Sequence, residues 1–559
     1  MRESRILQGN EAIATAAIHA GISSAYGYPG TPSTEVIEFL IKQKTQLGFP
    51  HAAWCANEKT AYEQGLGVAL VGKRALVSMK HVGLNVAADP FLSSTVVSIH
   101  GGLVIAVADD PGMHSSQNEQ DTRIFADFAH VPCLEPATPQ QAYDMTFEAF
   151  ELSERFGVPV ILRLVTRLSH SRSAVSVRVG DPGKEVRTQP TKKTSHPANW
   201  ILMPSNAKRQ WHELVEKQAS FQSFAENSPY NTLALPNESP AVADLGVITT
   251  GIALEYFLEE KSELVNTPAH LHIGVYPFPV EKIRKLASSC KKIVVLEEGY
   301  PHVERHLRGI LSTPIEVVGK LSGLISIEGE MNPETVRTAL GLPKREVAKF
   351  NLSGMNVMAR PPQLCKGCPH GDMFFAIKPA IAAFPESLVT SDIGCYTLGA
   401  LEPYSAIETC VCMGASIGLA KGAAEAGFFP VIAVIGDSTF LHSGMTGLLD
   451  AVSANTNMTL MILDNEAVAM TGGQKTLIPS SRLKDVVLGL GVLPEHVKVV
   501  GAHRRLIAEN TEVIKREIEY TGLSVIIAVR ECVETALRGK KEKIQCATPN
   551  DQGGSGCEV

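Results

Sequence analysis

VIAVIGDSTFLHSGMTGLLDAVSANTNMTLMILDNEAVAMTGGQ, residues 431–474, is the stretch whose reading decides the fold. An apolar run, Val431 to Ile435, stops at Gly436-Asp437-Ser438. Gly444 to Ser453 then carries apolar residues at helical spacing, and a second apolar run, Leu460 to Leu463, ends at Asp464-Asn465. The pattern predicts strand, turn, helix and strand, with an acid at the end of the first strand and an Asx pair at the end of the second. In open α/β sheets those strand ends border the ligand crevice. Asp437 and Asn465, 28 positions apart, offer hard oxygens for a cation such as Mg²⁺, which takes few protein ligands and fills its octahedron with phosphate oxygens. Gly436 lets the backbone approach a diphosphate, and the helix N-terminus that follows favours negative charge. The plain alternative is a βαβ crossover with ordinary turn residues.

The rest of the chain narrows the choice. At 559 residues it is long enough for roughly three to four domains. A hydrophobic share of 44% and a charged share of 19% are those of a globular protein. Its 51 basic and 58 acidic side chains leave a net charge of −7, which argues against a nucleic-acid or anionic-membrane partner. MRESRILQGNEA at the start lacks the apolar core of a secretory signal, and no unbroken apolar run approaches the ~20 residues of a membrane span. Eleven irregularly spaced cysteines fit a reduced, cytoplasmic chain whose thiols are core residues or metal ligands.

Apolar strand-like runs alternate with helical ones through the first 175 or so residues (Ala75–Met79, Leu103–Ala108, Val158–Leu164, with a helix from Glu58 to Leu70), which predicts a mostly parallel sheet covered on both faces. Composition turns polar and proline-rich between Gly180 and Pro240, around one helix at Asn206 to Phe224, as expected of a surface linker. The fold expected is therefore α/β in three domains with mostly parallel sheets: 1–178, a linker at 179–240, a smaller middle domain at 241–345, and a third domain at 346–538. The tail, 539–559, is polar.

The GDS…N pattern resembles the motif by which thiamine-diphosphate enzymes hold Mg²⁺ and the cofactor's diphosphate. Such catalysis needs a carboxylate against N1′ of the aminopyrimidine, supplied by the domain opposite the diphosphate. Glu58 is the candidate, in CANEKTAYEQGLGVALVGKRALVSMKHVG (55–83), with Glu63 as rival. The bland reading of either is an acid favoured by the helix dipole. In GYPGTPS (27–33) two prolines and two glycines shape a loop that presents Thr31 to a substrate carbonyl or carboxylate, or else simply caps the next helix. Cys365 and Cys368 in CKGCPH, with Cys395 and Cys532, fit a Cys₄ site for zinc or an iron–sulfur cluster. Cys410 and Cys412 are competing thiols. A literal GxSxG at Gly414–Gly418 lacks the preceding strand of a hydrolase elbow, and Gly65-Leu-Gly67 starts no complete dinucleotide fingerprint.

Together these features resemble the 2-oxoacid:ferredoxin oxidoreductases, in particular the large thiamine-binding subunits of the indolepyruvate type. The shared phrases include GYPGTPS, DDPGMHSSQNEQDTR (109–123), CKGCPH (365–370), DIGCYTLGALEP (392–403), GDSTFLHSG (436–444) and LDNEAVAMTG (463–472), within a likeness running from residue 8 to about 535. The resemblance implies a pyrimidine-binding domain, a middle domain like the transketolase C-terminal one and a diphosphate-binding domain, in that order. Thiamine diphosphate, Mg²⁺ and a 4Fe-4S cluster are implied, with coenzyme A as cosubstrate. Glu58 takes the place of the activating acid and Thr31 that of the substrate contact. Asp437, Asn465 and Ala467 fall on the Mg²⁺ ligands, and Cys365, Cys368, Cys395 and Cys532 on the cluster ligands. Gly30, Asp392, Gly394, Gly436 and Ser438 fall among the cofactor contacts, and His81 and His442 are proton carriers or polar anchors.

The implied reaction decarboxylates an arylpyruvate oxidatively, passes two electrons singly through the cluster and yields an acyl-CoA. A smaller beta- or gamma-type subunit is implied as partner, in a dimer of heterodimers, with ferredoxin or a ferredoxin-like subunit as acceptor. Family members usually end in repeated CxxCxxCxxxCP; the tail here holds only Cys546 and Cys557, so exit clusters are expected on another subunit, or an acceptor other than ordinary ferredoxin. Two other classes stay open: a non-oxidative thiamine lyase whose Cys₄ site is a relic or zinc staple, and a scaffold subunit. The intact Glu58, Asp437 and Asn465 argue against the scaffold.

Overall fold

The structure, a computed structural model, describes residues 2–191, 197–236, 243–311, 314–345 and 363–538. The polar tail with Cys546 and Cys557 lies outside the described residues. Two compact units are formed, Met1–Asn351 and Leu352–Val559. The architecture is the expected α/β one with mostly parallel sheets. No described helix is long and apolar enough to cross a membrane.

In the first unit a seven-stranded sheet runs in the order Val275–Tyr276, Cys133–Leu134, Val160–Val165, Leu103–Asp109, Ala75–Lys80, Ser24–Gly27, His51–Trp54. Only the first of these neighbours is antiparallel. Ala75–Lys80 and Leu103–Asp109 are buried at every position, as both faces of a helix-covered sheet require. A second sheet has the order Glu316–Val318, Lys292–Leu296, Gly246–Thr250, Ala269–Ile273, Asn231–Ala234. The polar 179–240 stretch thus holds more than one helix. Besides the short helix Lys184–Thr188, the long helix Pro204–Asn227 buries Leu214, Phe221 and Ala225, and Asn231–Ala234 adds an antiparallel edge strand. The Asn231 side chain accepts from the Gly274 and Val275 N–H groups (2.8 and 2.9 Å) and donates to the Ala225 and Val275 carbonyls (2.9 Å each), pinning the crossing between the two sheets. An antiparallel ribbon, Arg2–Gln8 with Arg172–Arg178, was not foreshadowed by the alternation.

A buried ionic network joins strand ends of both sheets. Arg163 donates to Asp109 (2.6 Å) and to Glu135. Arg123 pairs with Asp121 and with Glu297 (3.0 Å) and donates to the Glu298 carbonyl (2.9 Å). Replacing fully buried Arg163 by Met would strand two carboxylates, so urea denaturation should register a loss of roughly 3–5 kcal/mol. Glu298 gives a pH signature. Burial, opposed by Lys320, pushes its carboxyl from 4.5 up to about 7. The folded chain holds that proton more tightly than the unfolded one, so stability is lost as pH rises from 4.5 through about 7. Glu298→Gln should flatten the slope of melting temperature against pH across that window.

The second unit holds five parallel strands in the order Leu388–Ser391, Val431–Gly436, Met458–Asp464, Leu523–Val529, Val497–Gly501. Alternate residues feed two cores. Ile432, Val434, Met461 and Ile526 pack with Phe374 and Ile514, while Ala433, Ile435, Leu460 and Ile527 pack with Ile417 and Leu448. The helix expected from Gly444 begins earlier. Asp437–Thr439 starts it, a π turn Phe440–Gly444 interrupts it, and Met445–Ser453 completes it. An acid favoured at a helix start explains the early beginning. Register sets Gly436 opposite Leu463 and Asp464 opposite Val529. Asp437, Asn465 and Arg530 therefore leave the sheet at one edge.

Candidate active site

In the first unit, helix Glu58–Leu70 starts at Asn57, whose side chain accepts from the Thr60 N–H at 2.8 Å. Glu58 is buried, only 4% exposed. Its carboxyl lies against Gly83, where an added Cβ would stand 2.6 Å from Glu58 Oε1. Glu63 instead faces solvent and pairs with Lys59. Lys80, at the end of strand Ala75–Lys80, lays its stem over Gly30 and donates to the Ser115 carbonyl at 3.2 Å. Burial holds its ammonium below the usual lysine range, opposed by Asp110 and Glu58. The Gly30 N–H donates to Thr34 Oγ1 (3.0 Å) and its carbonyl accepts from Ser33 Oγ (2.8 Å). Ser33, not Thr31, stands at the helix N-cap. The half-buried Thr31 offers its carbonyl to Ser115 Oγ at 3.1 Å. His81 is buried beside the Asn118 carbonyl (3.1 Å), and its Nδ1 has no hydrogen-bond partner among the described residues. Glu58, Lys80, His81 and the Thr31 loop thus gather beyond the C-terminal ends of adjacent parallel strands.

In the second unit, Asp437 accepts from the Ser438 N–H at 2.8 Å through one oxygen, while the other is sealed from solvent and the Asp464 carboxyl lies within hydrogen-bonding reach. Burial, then the charge of Asp464, pushes its carboxyl well above the usual carboxylate range. Asn465 points its amide oxygen at the Ala467 N–H (3.3 Å), across Glu466 with φ +58°. Asp392 spends both oxygens on the N–H groups of Gly414 (2.6 Å) and Ser416 (2.9 Å), so it caps helix Ala415–Glu425. Gly394 and Gly436 both lie against the Tyr396 ring, and a Cβ on Gly436 would come within 2.6 Å of it. That packing demands a glycine at 436 whatever else binds there. His442 is buried in the π turn and bonds Ser443 Oγ.

The thiols surround the same edge. The Cys368 N–H closes a turn onto the Cys365 carbonyl at 3.0 Å, with Gly367 at φ +77°. Cys395 opens the short helix Cys395–Ala400. The Cys532 N–H donates to the Asn465 carbonyl at 3.1 Å. Arg530 spans from this segment to the CKGC turn, donating to the Gly367 carbonyl and to Asp372 at 2.8 Å. Burial first, then the charges of Cys368, Cys532 and Cys365, pushes the Cys395 thiol up to about 11. Burial, opposed by a hydrogen bond with Thr397, raises the Cys410 thiol, and the charges that add to this are those of Asp392 and Cys412, not of the other four thiols. Among the described residues no group of three or more His, Cys, Asp or Glu is closed to metal-ligating geometry. The four thiols are electrostatic neighbours, not a finished cage. Lys80 and Arg530 were given no role by the sequence, and Asp464 only a place in the Asx pair, since folding alone brings the first two beside these groups and Asp464 beside Asp437.

Residues 15–227 match the family described as pyruvate flavodoxin/ferredoxin oxidoreductase, thiamine diP-binding, and residues 392–528 match the thiamine pyrophosphate enzyme C-terminal TPP-binding domain. The chain is thus built as a thiamine diphosphate-binding oxidoreductase subunit. The indolepyruvate oxidoreductase subunit IorA of Archaeoglobus fulgidus is 37% identical over 98% of this chain and 89% of its own length. That of Thermococcus kodakarensis is 36% identical over 95% and 86%. The chain belongs to the IorA family, the alpha subunits of a multi-subunit 2-oxoacid oxidoreductase. Among solved structures, a 2-oxoglutarate:ferredoxin oxidoreductase from Magnetococcus marinus aligns at 17% identity and a TM-score of 0.49, over 61% of this chain and 66% of that one.

Proposed function

We propose that the chain is the large subunit of an enzyme that decarboxylates an arylpyruvate, such as indolepyruvate, oxidatively to an acyl-CoA. Electrons leave singly through a 4Fe-4S cluster on Cys365, Cys368, Cys395 and Cys532, toward ferredoxin or a ferredoxin-like subunit. The observation that supports this reading is one backbone bond: the Cys532 N–H donates to the Asn465 carbonyl at 3.1 Å, so Cys532 adjoins the residue assigned here to the cation.

The residues fit the groups assigned to them. The sealed Asp437 oxygen, which takes no N–H or hydroxyl donor among the described residues, and the Asn465 amide would suit a hard cation that neutralises a diphosphate. Thiamine diphosphate, when bound, supplies the electron sink for decarboxylation. Glu58, buried at a helix start, holds the proton at the aminopyrimidine N1′. Thr31 hydrogen-bonds the 2-oxoacid. His81 and His442, both buried, act as polar anchors or proton carriers. Gly30, Gly394, Gly436 and Ser438 line the cofactor's path, Ala467 completes the Mg²⁺ ligands, and Asp392 holds the Gly414 turn in place. A smaller companion subunit, a dimer of heterodimers and a cytoplasmic setting belong to the same reading, as does coenzyme A as acyl acceptor.

Anaerobically purified protein should contain iron and acid-labile sulfide, and with its companion subunit should release CO₂ from indolepyruvate only when a one-electron acceptor is present. Aldehyde formation by iron-free protein would establish the non-oxidative lyase instead. Cys532→Ala should lose the full iron–sulfur spectrum. An unchanged spectrum would return the fourth position to Cys410 or Cys412.

A further inference from the structure

Asp464 is outside the set assigned to the cation, Asp437, Asn465 and Ala467, yet its carboxylate is built into the same place. Asp437 and Asp464 are 4% and 2% exposed. Each satisfies one oxygen with a backbone N–H, Asp437 with that of Ser438 (2.8 Å) and Asp464 with that of Glu466 (3.2 Å). Oδ2 of each is sealed from solvent with no N–H or hydroxyl donor on it among the described residues, and the two carboxyls lie within hydrogen-bonding reach of each other. No Lys, Arg or His forms an ion pair with either among those residues. The nearby guanidinium of Arg530 is committed to Asp372 and to the Gly367 carbonyl, and only its backbone N–H reaches the Asp464 carbonyl (3.0 Å).

Two buried carboxylates that turn sealed oxygens to each other, with no ion-paired cation among the described residues, are costly alone. A bound divalent ion is the largest local charge such a site can receive, and it inverts that cost. We propose that Asp464 supplies the second carboxylate of the cation site, so that Asp437 and Asp464 together set its affinity for a small hard dication. This inference rests on reading Asp437 as a cation ligand, and the experiment separates the two.

The full-length protein, stripped of metal and cofactor, is titrated with Mn²⁺ as the probe and followed by electron paramagnetic resonance. Thermal unfolding of the metal-free protein is recorded alongside. Asn at 464 keeps an acceptor for the Glu466 N–H, and Ser is smaller still, so at least one variant retains the fold. Asp464→Asn and Asp464→Ser should each weaken Mn²⁺ binding by roughly tenfold or more, with a metal-free melting transition close to wild type. Wild-type Mn²⁺ affinity in either folded variant, alongside weak binding by Asp437→Asn, would overturn the role of Asp464 alone. Wild-type affinity in Asp437→Asn as well would overturn the cation site itself. A merely structural Asp464 would lower the melting temperature and leave Mn²⁺ affinity unmoved.

Discussion

Asp437→Ala is expected to abolish Mg²⁺-dependent thiamine diphosphate binding while the five-stranded sheet of the second unit still folds. The side chain lies beyond the last residue of strand Val431–Gly436 and contributes nothing to the hydrophobic cores on either face. Its partners are local, the adjacent Ser438 N–H at 2.8 Å, the Glu466 N–H and the Asp464 carboxyl, none of which ties it to the cores. Losing it removes a charged oxygen from an ion that takes few protein ligands. The diphosphate's negative charge is then poorly neutralised in a buried setting where Coulomb terms are large. The fold should gain slightly, because a carboxylate whose ionisation burial and Asp464 both oppose is gone. Calorimetric titration with cofactor and Mg²⁺ reads the outcome, and undiminished affinity would refute the assignment of Asp437.

Glu58→Gln is expected to spare the cofactor and stop the chemistry. Gln is nearly isosteric, so it fits the tight contact with Gly83, where the Glu58 carboxyl leaves no room for even a methyl group. Its amide still hydrogen-bonds N1′ but cannot stabilise a proton there. Affinity should stay within about an order of magnitude, while turnover should fall by roughly 10²–10⁴. Single-turnover CO₂ release, with cofactor binding measured in parallel, separates the two. Should Glu63→Gln behave this way and Glu58→Gln like wild type, the wrong carboxylate has been named. The exposed ion pair of Glu63 with Lys59 makes that outcome hard to explain, since surface pairs of this kind carry about 0–1 kcal/mol.

Much of this architecture was legible because it is local. Asn57 before a helical run, with its side chain on the Thr60 N–H, marks the start of helix Glu58–Leu70 at the residue expected. Apolar runs of five and four residues, Val431–Ile435 and Leu460–Leu463, that end in Gly-Asp and Asp-Asn become the longer strands Val431–Gly436 and Met458–Asp464, since a fully buried parallel strand needs no alternation. The π turn at Phe440–Gly444 left no trace in residue spacing, and the helix therefore starts seven residues earlier than apolar periodicity suggested. The polar composition of 179–240 likewise concealed Asn231–Ala234, an edge strand whose short length and single pairing partner ask little of its side chains.

Local signals mark which residues can bear charge, cap a helix or end a strand, and so Asp437, Asn465, Glu58 and the CKGC turn stood out from the chain alone. Strand order has no local signal. It follows from burying all five strands of the second unit at once, which inserts Leu523–Val529 between Met458–Asp464 and Val497–Gly501. That insertion carries Cys532 to the Asn465 carbonyl and Arg530 to the CKGC turn. The direct pairing of Val431–Gly436 with Met458–Asp464 brings Asp437 near Asp464, with no ion-paired cation on either among the described residues. The sequence by itself determined the chemical groups and the ends of the elements that hold them. Which of those groups became neighbours was decided by tertiary packing, because contacts between residues on different strands, tens of positions or more apart, form only when the whole sheet closes.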